Sequence, residues 1–507
     1  MKTHNTLRGI ALWIAIAVPA FGSPSIVTAQ DATSPLVKQL YDGKWPSKEA
    51  IEQSNKQRLY QRGIEAYMMT LPILNTIGMR DASEAKFGKG YNVLPIWKDR
   101  MNAKTLVTTP NCDVIYSMSY LDLKEAGPLV VHAPPGVIGM FTDFNQHTLT
   151  DVGAAGPDRG QGGLYLLLPP GYAGPVPGGY HAFRSATYNV FLFFRTVLTQ
   201  GADGPDTKAA VAAAEQTRVY PLGSVEKDRK KMQFPNASDV AVNMMYPTDF
   251  SYWEKLKTFV DFEPSDAMAP EVRGILASIG IVKGVPFNPD ATAKEALSRA
   301  LADAPKAIFA KRIAGRADGR DRYYSDRQYV SIWSGITADW YALTYLDVDA
   351  RAQYFQFAYS SAPAMANDTI NQGSKYPFAL RDSDGELFDG SNSYRLHLPA
   401  GIPAKLYWAV TIYNPADGTM PQTGQPFPSR NQFDRPPSNP DGSVDLYFGP
   451  TKPDGVDAKS WIQTLSGRAF IVAIRLYGSG TEFYDQTWKP DDVVKLKANE
   501  SRTVGRQ

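Results

Sequence analysis

Two blocks of short apolar runs, each broken by Pro and Gly and separated by well over a hundred residues of a different texture, set the limits on this fold. The first block holds Val114–Leu121, Pro128–His132, Val137–Phe144, Leu164–Leu168 and Tyr188–Arg195; the second holds Tyr394–Leu398, Lys405–Tyr413, Val444–Phe448 and Ala469–Tyr477. Runs of this length, rich in β-branched and aromatic residues and bounded by turn formers, predict strands. Asn439-Pro440-Asp441-Gly442 is a strong turn signal between two of them. Between the blocks, Thr207–Thr217, Ala291–Ala304 and Arg351–Ala362 carry helical spacing. A further helix is predicted over 47–71, with Ser47 as its cap, Glu49 at the positive end of the dipole and Ile64, Tyr67, Leu71 and Leu74 on one face. Pro72 is expected to bend or end it. The fold class that follows is α+β and β-rich: two β-sandwich or jelly-roll-like domains with helical N-terminal and middle segments, and not one closed barrel.

The N-terminus has its own pattern. Lys2 and Arg8 precede the apolar run Ile10–Phe21, then Gly22-Ser23-Pro24 breaks any helix and Val27-Thr28-Ala29 offers a small-residue cleavage site. That order predicts a signal peptide over 1–29, cut near Ala29–Gln30, and a periplasmic or secreted protein. The run is shorter than the ~20 residues a spanning helix needs, and no later stretch reaches that length. The expected segments are then 30–100, helical; 101–225, the first β-rich domain; 226–375, mostly helical; 376–490, the second sandwich; and 491–507, a tail.

Loss of Lys2 and Arg8 turns 53 basic against 51 acidic residues into 51 against 51. Without a basic excess the chain has no electrostatic case for binding nucleic acid. Its one cysteine, Cys112, leaves no intramolecular disulfide, so stability rests on burial by the 43% of residues that are apolar. No phosphate loop, dinucleotide fingerprint, nucleophile elbow, zincin or paired-cysteine motif is present, and no cofactor is indicated.

Five strings, in order, resemble a known pair of families. They are Thr109-Pro110-Asn111-Cys112-Asp113-Val114-Ile115-Tyr116-Ser117, Gly373-Ser374-Lys375-Tyr376-Pro377, Tyr394-Arg395-Leu396-His397-Leu398-Pro399, Asp441–Pro450 and Thr487-Trp488-Lys489-Pro490. The chain resembles domain-of-unknown-function family 1254 followed by family 1214, from about residue 60 to 490. The resemblance implies two sandwich or jelly-roll-like domains, frequent export and a homo-oligomer, and it carries no catalytic residues. The family pattern favours Ala, Asn or Asp where this chain has Cys112.

Candidate sites follow from residue chemistry. Asn111, Asp113 and Tyr116 stand at the start of a strand, where an Asx side chain ordinarily turns the backbone. The functional alternative has Asp113 as general base or polar anchor for a hydroxylated ligand, with Asn111 beside it and Tyr116 giving a flat face and a hydroxyl. Asp143 and Asp151 flank His147 at four-residue spacing, and with His132 and His181 they make the one stretch that could assemble a metal site, though no ligand motif is recognised. Cys112 reads first as a small buried residue. Arg184 precedes Ser185-Ala186-Thr187, and Arg195 ends the apolar run Phe191–Phe194, so it needs an acidic partner or a ligand anion; an internal ion pair is the simpler expectation. Tyr413, Asn414, Arg475 and Tyr477 border a long Pro-, Gln- and Asn-rich connection reaching Pro440 that could form a binding edge.

Two functions remain open from these residues. One is an exported, envelope-associated binding or assembly protein with a small-molecule or glycan ligand. The other is a hydrolase or lyase acting on a hydroxyl-rich substrate through strand-borne carboxylates and tyrosines.

Overall fold

A computed structural model of the chain describes residues 45–333 and 337–497. The expected export segment 1–29, the start of the 30–100 segment and the end of the tail lie outside the described residues. The chain divides into two compact units at Gln57–Arg58. In the first unit Ser47 accepts a hydrogen bond from the Ala50 amide at 3.2 Å, the predicted cap.

Helix α1, Lys48–Phe87, runs through Pro72 without ending. A proline inside a helix costs about 3 kcal/mol. Here Leu71, Ile73, Leu74 and Ile77 are all buried, each worth roughly 1.5–3 kcal/mol, which outweighs that cost. Asn75 fastens the same turn by donating to the carbonyls of Phe355 and Ala358 at 2.7 and 3.1 Å.

The first β-rich block contains β1 (Val114–Asp122), β2 (Leu129–Ala133), β3 (Val137–Asp143), β4 (Thr148–Val152), β5 (Gly163–Leu168), β6 (His181–Arg184), β7 (Asn189–Val197) and β8 (Arg218–Pro221). One sheet has the order β1-β7-β3-β4 and the other β8-β2-β5-β6. Val131, Leu167 and Val219 of the second pack against Phe141, Val190, Leu192 and Phe194 of the first in one core.

The second block contains β9 (Tyr329–Val330), β10 (Ser374–Lys375), β11 (Phe378–Ala379), β12 (Tyr394–Leu398), β13 (Ala404–Tyr413), β14 (Ser429–Asn431), β15 (Val444–Gly449), β16 (Trp461–Gln463), β17 (Ile471–Ser479) and β18 (Val494–Lys495). One sheet runs β9-β11-β17-β13-β14, with β10 also on β17, and the other β16-β15-β12-β18. Leu396, Leu446 and Phe448 pack against Val410, Ile412, Val472 and Ile474. The fold is a strand-rich α+β arrangement of two sandwiches, and among the described residues no sheet closes into a barrel.

Strand alternation decides what lies between them. In β7 the even residues fill the first sandwich, so Phe191, Phe193 and Arg195 face outward. In β13 and β17 the even residues fill the second, so Tyr407, Thr411, Tyr413, Arg475 and Tyr477 face outward. Phe191, Phe193, Tyr407, Tyr413 and Tyr477 nevertheless share one large core. Four helices of the middle segment, α2 (Ser251–Phe262), α3 (Pro270–Ser278), α4 (Ala291–Ala314) and α5 (Val348–Phe357), add to it. Each of these central strands is therefore buried on both faces. Among the described residues no helix is long and apolar enough to cross a membrane.

Candidate functional site

The loop before β1 joins the two sandwiches. Asn111 accepts from the Asp113 amide at 2.8 Å, the expected Asx turn. Its Nδ2 also donates to Tyr407 Oη at 2.8 Å and Tyr477 Oη at 3.0 Å, both in the second sandwich, and its amide donates to Tyr116 Oη at 3.0 Å. Thr109 adopts a φ of 33° and donates to the Gly418 carbonyl at 2.7 Å. Gly418 has a φ of 71°, and a Cβ there would lie 2.1 Å from the Phe357 carbonyl oxygen. The connection after Tyr413 is thus docked at its start, and strand β14 pins it again against β13.

Asp113 is fully buried and its carboxylate is engaged on both oxygens. Arg100 Nη2 lies at 2.7 Å, Asn431 Nδ2 donates at 2.6 Å and Ser429 Oγ at 2.7 Å. It is the hub of an ion-paired network linking the sandwiches. Beside it Cys112 is buried, which pushes the thiol up to about 12 and leaves it un-ionised.

Arg195 behaves otherwise. It is 6% exposed, Arg475 is 3% exposed, and neither has a carboxylate within 4 Å among the described residues. The internal ion pair expected for Arg195 is absent, because the facing strands present tyrosines where a carboxylate would sit. Arg195 Nη1 donates to Tyr477 Oη at 3.3 Å, while Arg475 donates to Thr411 Oγ1 at 2.8 Å and to Tyr413 Oη. The Nε of each is buried without a partner. Burial works against both charges, but the surrounding phenol oxygens, Tyr477 and Tyr413 foremost, hold both guanidiniums protonated.

Tyr477 is the centre of this nest. Its oxygen accepts from Arg195, from Asn111 at 3.0 Å and from Tyr376 Oη at 3.4 Å. Burial pushes its pKa up, yet Arg195, Arg475 and the donated hydrogen bonds prevail and bring it below the ordinary phenol value. Tyr407 stacks on it at 4.4 Å. Tyr116 pairs across strands with Arg195, and burial pushes its hydroxyl up to about 12.

Two cavities meet Arg195 and Tyr477. One, of about 40 Å³, also touches Asn111, Tyr116, Tyr376 and Arg475. The other, of about 150 Å³, is walled by Ile138, Ala364, Met365 and Leu406 and includes Asp151. Asp151 is 7% exposed; Oδ2 accepts from the Ala364 amide at 3.0 Å, and Oδ1 is buried without a partner. Burial pushes this carboxyl up to about 6.

The remaining candidates lie elsewhere. Asp143 closes the β3–β4 turn, accepting from the His147 amide at 2.9 Å and pairing with its Nδ1 at 3.2 Å, which raises the imidazole pKa. Asp151 does not join that pair. Arg184 is exposed on edge strand β6, at 3.5 Å from the Pro169 carbonyl. Asn414 holds its own turn through Thr419 Oγ1 at 2.8 Å. His132 stands on β2 and His181 beside Tyr165 on β6. Among the described residues no three His, Cys, Asp or Glu side chains gather as a metal site. Of the expected residues, Asn111, Tyr116, Arg195, Tyr413, Arg475 and Tyr477 do converge. Tyr376 and Tyr407 are additions: Tyr376 falls in the Gly373–Pro377 string, and Tyr407 shares a face with Tyr413 by strand alternation.

Comparison with known proteins adds fold and family but no activity. A Vibrio parahaemolyticus protein of known structure matches with a TM-score of 0.54 at 17% identity, covering 87% of this chain and 100% of its own. An uncharacterised Burkholderia cenocepacia structure aligns at a TM-score of 0.37 and 12% identity, over 91% and 99% of the two chains. No curated protein matches. The nest draws on two regions with separate family matches, residues 91–221 with the protein of unknown function family DUF1254 and residues 373–481 with the protein of unknown function family DUF1214.

Proposed function

We propose that the protein is an exported binding protein for a small hydroxylated carboxylate, held between the two sandwiches. The observation that carries this is the pair of buried guanidiniums, Arg195 and Arg475, without a carboxylate partner. A buried charge is costly unless paired, and a carboxylate ligand matches the fork of Arg195. In the 150 Å³ cavity Asp151 faces the same space with one oxygen unpartnered, which suits a ligand hydroxyl as donor. A cavity of that size holds a body of about one benzene ring.

The test is a thermal-shift and calorimetric panel of glycerate, lactate and malate on the chain beginning at Gln30. Saturable binding that Arg195→Met weakens at least tenfold, about 1.4 kcal/mol, supports the reading. Binding by none of the three, or binding indifferent to Arg195→Met, would sink it. N-terminal sequencing of protein recovered outside the cytoplasm checks cleavage after Ala29, and light scattering checks the proposed homo-oligomer.

A catalytic reading on a hydroxyl-rich substrate draws support from Tyr477, whose oxygen accepts three hydrogen bonds and so has the surroundings of a phenolate. In that reading Tyr477, which lines both cavities, is the base, rather than Asp113, which lines neither. Turnover of a bound hydroxy acid that is lost in Tyr477→Phe with binding retained would establish it.

A further inference from the structure

A separate cavity of about 310 Å³ lies where the end of α4 meets α5 and the β9–β11–β17 side of the second sandwich. Five arginines reach it: Arg312, Arg316, Arg322, Arg327 and Arg381. Two are neutralised, Arg316 by Asp318 at 3.0 Å and Asp347 at 2.6 Å, and Arg327 by Asp326 at 3.0 Å and Asp491 at 3.6 Å. The other three have no carboxylate within 4 Å among the described residues. Arg312 donates to the carbonyls of Pro415 and Gln353 and to Gln356 Oε1 at 2.7–2.9 Å. These are neutral acceptors, and burial pushes its pKa down to about 10. Arg381 donates to the Gly385 carbonyl at 2.9 Å and to the Ile313 carbonyl at 3.5 Å. The guanidinium of Arg322 makes no hydrogen bond or ion pair with a described residue. Asp321 is the one acid in the lining, and it accepts from the Arg316 amide at 3.1 Å. Three uncompensated guanidiniums against one carboxylate leave the cavity electropositive.

The rest of the lining includes apolar side chains, Val330, Ile332, Phe357, Phe378, Leu380 and Ile471, with the Arg312 guanidinium 4.6 Å over the Phe357 ring. The volume is about twice that of a cavity known to hold one benzene molecule. A hydrophobic slot with a few convergent cations on one side is the form of a small-molecule site. Ile332, Tyr354 and Phe378 also line the smaller cavity beside Arg475, so the two spaces share a wall and draw on different arginines.

We propose that this cavity is a second binding site, for an amphipathic organic anion with a body of one or two rings and a carboxylate, sulfonate or phosphate head. The head pairs with Arg322, whose guanidinium is free to give it bidentate contacts, Arg381 adds its charge beside it, and the ring body lies against Val330, Ile332 and Leu380. The site stands independently of the hydroxy-acid reading.

Naphthalene sulfonate, followed by its own fluorescence, probes it on the full chain. Saturable binding is expected, at least roughly tenfold tighter than that of neutral naphthol and weakening as salt rises. Arg322→Gln with Arg381→Gln should weaken it at least roughly tenfold more, whereas Arg195→Met should leave it unchanged. Should the double variant fail to fold, Arg322→Gln alone removes a guanidinium with no protein partner and is read in the same way. Absence of saturable binding to the wild type, equal affinity for naphthol, indifference to the Arg322 and Arg381 changes, or loss in Arg195→Met would each overturn the proposal. An Arg322→Gln protein that keeps its response to hydroxy acids but loses naphthalene sulfonate separates the two sites.

Discussion

Two buried polar clusters sit side by side where the sandwiches meet, and they are built on opposite principles. Around Asp113 every charge is closed: Arg100, Ser429 and Asn431 occupy the carboxylate. Around Tyr477 two guanidiniums remain without a carboxylate, and each keeps an unpartnered Nε. A closed network of buried charges makes the arrangement of the two sandwiches specific, and it is expensive to break. An open one costs stability, because each buried charge lacks its counter-charge. The contrast separates a polar centre whose charges are paired within the protein from one whose charges are not, although both carry buried charge and both touch the loop before β1.

The largest effect should come from the closed side. Asp113→Ala leaves Arg100 buried and unpaired, and urea denaturation should show a loss of about 3–5 kcal/mol. A smaller loss would mean that Asp113 is not the hub. Asp151 comes next, as the acid of the open side. Its folded pKa of about 6 lies above the ordinary 3.8. The favourable term from its neutral form is therefore fully present below about pH 4 and lost as pH rises through about 6. Across that window Asp151→Asn should gain stability relative to the wild type by up to about 3 kcal/mol. A difference that does not change with pH would show that the carboxyl is not buried as described. Gly418→Ala, which tests the loop serving both clusters, should cost about 2 kcal/mol or more in thermal denaturation, because its Cβ meets a backbone carbonyl at a positive φ. The smallest change is expected for Arg195→Met. It breaks no ion pair, so stability should shift by less than about 1.5 kcal/mol in either direction. A loss as large as that of Asp113→Ala would erase the comparison.

Much of the strand framework was legible beforehand. The nine runs picked out by β-branched and aromatic content are strands in the structure, with ends within a few residues. Strands β6, β8, β14 and β16 were not legible, because three or four residues carry too little pattern without their partners, and β4, mostly polar, lacks the apolar run that marks β2 and β12 at the same length. Pro72 misled for a related reason: local propensity points to a break, and burial of the residues around it decides otherwise. In the site, Arg195 stood out because a cation after Phe191–Phe194 is out of place in an apolar strand. Asp113 looked equally promising by residue type. Only its neighbours Arg100, Ser429 and Asn431, one of them near and two more than three hundred positions away, show that its oxygens are occupied.

By itself the sequence determined that there would be two strand-rich blocks with helices between them, and that each strand would carry two alternating faces. That information is local, carried by periods of two and 3.6 residues. Tertiary structure alone decided that the faces carrying Arg195, Arg475 and Tyr477 would meet and that tyrosines would stand around the arginines where a carboxylate was expected. Pairing is a property of distance between distant segments, and residue type cannot say whether a buried charge has found its partner.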